Sequence, residues 1–150
     1  MAVRFSSLAL AGAALISANA VSAEEASNLS YKASMRCMTL YGLLGAAVEE
    51  EEEATPEDIA FHEDKMTRWM ILAMMRDGEE GKRTIRDIEP AMDGLAAKID
   101  SFGDDQKASE AYITGLDETC QALQKANAKE FEAVDVDAIN AEEEEVQPAK

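Results

Sequence analysis

The sequence predicts an all-α fold, an antiparallel four-helix bundle in up-down-up-down order with one disulfide between its first and last helices. Three observations carry that expectation. Four stretches of about 20–25 residues repeat apolar side chains at three- and four-residue steps, the period of a helix buried on one face. No stretch shows the two-residue alternation of β-branched residues that marks a strand. The only two cysteines, Cys37 and Cys120, fall at matching heights on the first and fourth stretches when these lie side by side in opposite directions.

The first stretch runs from about Ser27 to Val48. Cys37, Tyr41, Leu44 and Val48 share one helical face, and Met38 and Leu40 broaden it. Glu49 to Glu53 then place five carboxylates in a row. They repel one another and stand at the wrong end of the helix dipole, so they are expected in a solvated loop or a frayed last turn.

The second stretch has the clearest start in the chain, Thr55-Pro56-Glu57-Asp58. Threonine can cap the open amides, proline suits the first helical position, and acidic residues favour the first turn. Ile59, Met66, Trp69, Met70 and Ala73 supply its apolar face, and Gly78 after Asp77 is the expected stop.

Ile85, Ile88, Met92, Leu95 and Ile99 define a third helix from about Glu79 to Asp100. Pro90 lies inside this pattern and removes a backbone donor, so the helix is expected to be kinked there or split in two. After the breaker Ser101-Phe102-Gly103, a fourth helix runs from about Asp105 to Phe131, with Ala108, Tyr112, Leu116, Cys120 and Leu123 on its face.

The ends of the chain read differently. Residues 1–23 have a short positive start at Arg4, an apolar stretch from Leu8 to Ile16, and the small-residue patterns Ala18-Asn19-Ala20 and Val21-Ser22-Ala23. This is the plan of a secretory signal peptide, shorter than the ~20 apolar residues of a spanning helix. Cleavage after Ala23 is expected to leave residues 24–131 as the bundle domain and 132–150 as a disordered acidic tail ending past Glu142–Glu145. A periplasmic or secreted protein follows, without a membrane anchor once the signal is removed.

In that compartment two cysteines normally pair. Cys37 is about 10 residues into its helix and Cys120 about 11 from the end of its own, so at ~1.5 Å per residue both lie ~15–17 Å from the shared end. Two free buried thiols are the alternative. The pair is not a CxxC redox motif, and two thiols alone make a poor zinc site.

Charge narrows the function. The 150 residues carry 14 Lys and Arg against 31 Asp and Glu, a formal charge of −17. That argues against nucleic-acid binding, which needs cations facing phosphates. A hydrophobic fraction of 47% is too high for a wholly disordered chain, and eight methionines take up part of the core role that the 5% of aromatics leaves open. The acidic runs are expected to hold cations weakly, without the tight loop of a specific calcium site.

His62 is the only histidine, and no nucleophile or phosphate-loop motif accompanies it. With His62, Met66, Met70 and Met74 spaced by four, thioether and imidazole ligands for Cu(I) line one helix. Each step of four turns ~40°, so the outer two stand ~120° apart and cannot share one ion, although two or three of them can. Core packing is the favoured reading of this row.

Small size, export, four helices and one long-range disulfide loosely resemble the periplasmic acid-stress chaperones, with no shared motif. Protonation of many of the 31 carboxylates near their intrinsic pKa of ~4 would change the net charge and loosen the fold. The expected function is therefore non-catalytic and without a cofactor: a protein that acts through its surface on a protein partner or as a stress-related holdase. The alternative is a copper or small-ligand carrier built on the second helix.

Overall fold

The computed structural model describes residues 28–51 and 53–136. The expected signal peptide and residues 137–150 of the expected tail lie outside the described residues. All regular structure within them is helical: α1 (Tyr31–Glu49), α2 (Pro56–Met74), α3 (Lys82–Asp100), α4 (Gln106–Ala126) and the short α5 (Ala128–Glu132). No described helix is long and apolar enough to cross a membrane.

α1 starts later than its periodicity suggests, because Ser30 caps it by accepting from the Ala33 amide at 3.2 Å. Its burial is not confined to one face. The consecutive residues from Cys37 to Tyr41 are all buried, as are Ala33, Ser34 and Met35. A helix so apolar around its circumference belongs in the centre. α2, α3 and α4 each pack on α1, α2 most extensively, whereas α3 and α4 approach each other little.

The contacts along α1 set the register. Tyr31 donates to Asp87 of α3 at 2.9 Å, and Tyr41 donates to Asp117 of α4 at 2.8 Å. Cys37 is joined to Cys120, with their Cα atoms 5.6 Å apart. Gly42 admits α2 and α3 together, since a Cβ there would stand 3.2 Å from Met66 Sδ and 3.3 Å from Met92 Cε. Further along, a Cβ on Gly45 would meet His62 of α2 at 3.3 Å.

α2 begins where its sequence directs. Thr55 accepts from the Asp58 amide, Asp58 accepts from the Thr55 amide, and Pro56 occupies the first turn. It ends at Met74, before the expected stop at Gly78, because Asp77 organises the following loop. The buried Asp77 carboxylate accepts from the amides of Glu79, Gly81 and Thr84 and from the Thr84 hydroxyl. Gly78 and Gly81, at φ 72° and 86°, supply the left-handed turns that this wrapping needs.

Burial alone would raise the Asp77 pKa, but the four hydrogen bonds outweigh it and hold the group down at about 2. A depressed carboxylate stabilises the fold above its unfolded pKa of ~3.9, and that contribution is lost as pH falls through the folded value. Asp77→Asn is expected to lower the urea midpoint at neutral pH and to flatten its decline between pH 4 and 2. A decline as steep as that of the unmodified chain would remove Asp77 from the account.

α3 is one helix through Pro90, so of the two alternatives the split does not occur. Pro90 is exposed, as is Arg86 one turn earlier, so the site of the missing backbone bond lies on the solvent side of the helix. Ile85, expected on the apolar face, is 64% exposed, and the fully buried residue in its place is Thr84, drawn in by Asp77.

The expected fourth helix is two helices. Asn127 breaks it at φ −120° and ψ 30°, where its side chain donates to the Leu123 carbonyl at 2.9 Å. The break turns Phe131 onto Trp69, with ring centroids 5.0 Å apart. Arg68 then donates to the carbonyls of Phe131 and Val134. Val134 is buried against the core, although it lies inside the stretch expected to be tail.

Candidate functional site

Burial is uneven along the molecule. The largest fully buried side chains, Ser34, Cys37, Leu40, Trp69, Leu72, Thr84, Cys120 and Leu123, come from the first half of α1, the second half of α2, the first turn of α3 and the last turns of α4. Away from this packed end, Leu44, Leu95, Ile113 and Leu116 are only partly covered. The cause is in the sequence. α1 is apolar over most of its circumference, whereas α3 and α4 carry one narrow stripe each and do not close over it.

The result is an apolar groove of about 290 Å³ between α1, α3 and α4. Leu40, Leu43 and Leu44 form its floor, Leu95 and Ile99 one wall, and Ile113 the other. Ala47 and Ala96 are the small residues that leave it open, and Asp100 stands at its rim. For scale, an apolar cavity of ~150 Å³ takes up benzene.

A second, larger cleft of about 610 Å³ lies between α1, α2 and α4, and its lining mixes polar and apolar side chains. Tyr41, His62, Lys65, Asp117 and Gln124 line it, with Phe61 at 54% exposure. Burial raises the pKa of the Tyr41 hydroxyl, and its bond to Asp117 raises it further, so Tyr41 remains a neutral donor at physiological pH. Burial lowers the Lys65 pKa, against the pull of Asp64 and Asp117. Its ammonium donates to Gln124 and lies over the rings of Tyr41, Phe61 and Phe131. Tyr41 is thus satisfied by Asp117 and Lys65 by Gln124.

The row His62, Met66, Met70 and Met74 does not assemble at one point. His62 faces the larger cleft beside Phe61, and its Nδ1 is buried without a hydrogen-bond partner. Met66 and Met92 both approach Gly42, Met70 packs on the core, and Met74 covers Gly81. Among the described residues no three of His, Cys, Asp and Glu cluster as metal ligands.

The groove was not anticipated from periodicity. Its signal is the small residues Ala47 and Ala96 at positions where a closed core would place larger ones. Neither family models, curated proteins nor solved structures provide a match to the chain.

Proposed function

We propose that this is an exported, non-catalytic binding protein that takes apolar side chains of another polypeptide into the groove between α1, α3 and α4. In this reading α1 to α4 form an antiparallel up-down-up-down bundle, bent at Pro90 and left open at one end. Support for the arrangement comes from the paired contacts: Cys37 with Cys120 and Tyr41 with Asp117 run in opposite senses, while Tyr31 with Asp87 and Gly42 with Met92 run in the same sense. The disulfide fits an oxidising compartment, and with the signal-like start it supports export.

The single observation that carries the function is the groove itself, an apolar concavity that the fold leaves partly uncovered. Such a surface supports protein capture, including the holdase role. Ala96→Trp fills it from one wall. The unmodified chain is expected to suppress aggregation of a chemically denatured model protein, and Ala96→Trp to lose most of that effect with an unchanged helical spectrum. Equal suppression by both would dissociate the activity from the groove.

A soft-metal carrier is the second reading. It rests on the sulfurs of Met66 and Met92, which would lie 3.2 and 3.5 Å from a Cβ on Gly42. Titration with Cu(I) against a competing chelator separates the two readings, since stoichiometric copper lost in Met66→Ala supports the carrier.

A further inference from the structure

Resting on the groove reading above, we propose that the groove's partner is a cationic amphipathic peptide segment, whose apolar stripe enters the groove while its lysines or arginines meet the carboxylates at the mouth.

The groove lies at the C-terminal ends of α1 and α3. Glu49, Glu50 and Glu51 follow Ala47 of its lining, and Asp100, Asp104 and Asp105 follow Ile99. All six are exposed, and none is in an ion pair among the described residues. The pairs that do form use Asp64, Glu79, Asp87 and Glu130, away from the groove lining, with Arg68, Arg76, Arg83 and Arg86. Of the cations near the mouth, Lys98 is held over the rings of Phe102 and Tyr112.

Placing Glu49, Glu50, Glu51 and Asp100 where α1 and α3 end works against the fold, whereas Asp105 caps α4 by accepting from the Ala108 amide at 3.0 Å. The last carbonyls of each helix already make its C-terminus negative, and acidic side chains there repel it. The last turn of α1 contains no basic residue to offset this. A cationic partner relieves that repulsion at the moment its apolar face fills the groove. An acidic peptide, or a second copy of a chain carrying −17, adds to the repulsion instead. The apolar floor supplies affinity, and the rim supplies selection by charge.

The test uses the chain from Glu24 to Lys150 and three peptides of about 18 residues, sized as a single amphipathic helix. The first has leucine on one helical face and lysine on the other. The second replaces lysine by glutamate, and the third replaces leucine by serine. In calorimetric titration the leucine-lysine peptide is expected to bind one to one and at least ~10-fold more tightly than either control. Raising salt from about 50 to about 500 mM is expected to weaken it by roughly tenfold or more. The triple variant Glu49→Gln/Glu50→Gln/Asp100→Asn and, separately, Ala96→Trp are each expected to weaken it by about tenfold or more.

Equal binding of the leucine-glutamate peptide would overturn the cationic partner and leave the groove standing. Equal binding of the serine-lysine peptide would reduce the interaction to charge alone and also overturn it. Undiminished binding of the leucine-lysine peptide to Ala96→Trp would contradict the groove reading itself. A chain that is dimeric until Ala96→Trp separates it would make a second copy the occupant.

Discussion

Trp69→Ala is expected to cost about 3–5 kcal/mol, the range for removing a large buried aromatic side chain. Trp69 is fully buried, on the same helix as the fully buried Leu72, and its ring stacks obliquely on Phe131. Phe131 is also the anchor of α5. The substitution therefore opens a cavity and releases the segment after Asn127 together. Domains have total stabilities of ~5–15 kcal/mol, so this one change consumes a large share. Trp69→Phe tests the cause. The indole nitrogen is buried without a partner, so the smaller ring loses volume but removes an unsatisfied donor. Urea denaturation should place Trp69→Phe between the unmodified chain and Trp69→Ala. An alanine variant within ~1 kcal/mol of the parent would mean that the core is not organised around Trp69.

Loss of the disulfide is the second large effect. Cys37 and Cys120 are fully buried and lie 83 residues apart in sequence. Opening a loop of that size restores unfolded-chain entropy worth up to ~4–5 kcal/mol, and removal of a native bridge typically costs ~2–5 kcal/mol. Cys37→Ala/Cys120→Ala is expected to lower the denaturation midpoint by an amount in that range. Peptide mapping without reductant should recover the two cysteines as one linked pair. Quantitative alkylation of both thiols in the native, unreduced protein would show that the link does not form in solution.

The starts of α2 and α4 and the crosslink were legible because local chemistry or helix geometry decides them. Thr55-Pro56-Glu57-Asp58 contains every group of the cap that forms there. Cys37 and Cys120 needed only helical rise and direction to be matched. The break at Asn127 was hidden, because apolar spacing continues across it and only the tertiary contact of Phe131 with Trp69 rewards the turn. Val134 was hidden for a related reason. Its stretch has few apolar residues, yet two carbonyl hydrogen bonds from Arg68 tie the chain down beside it.

Ile85 shows the limit of periodicity as a guide to burial. It keeps the apolar step, but the Asp77 loop sets the rotation of α3 by drawing Thr84 inward. The groove was invisible for a further reason. Periodicity identifies which side of a helix is apolar, and says nothing about whether two such helices close over a third. The burial of α1 on more than one face and the partial cover of Leu95 and Ile113 appear only once the helices are in place.

The most direct test of the groove is to observe it with a partner bound. Methyl-labelled protein, titrated with the leucine-lysine peptide and followed by carbon–proton correlation spectra, resolves the groove from the packed end. The account predicts saturable shifts for the methyls of Leu43, Leu95, Ile99 and Ile113, with those of Leu72 and Leu123 unmoved. Shifts centred on Leu72 and Leu123, or on the cleft between Tyr41 and His62 with the four groove methyls unmoved, would contradict it.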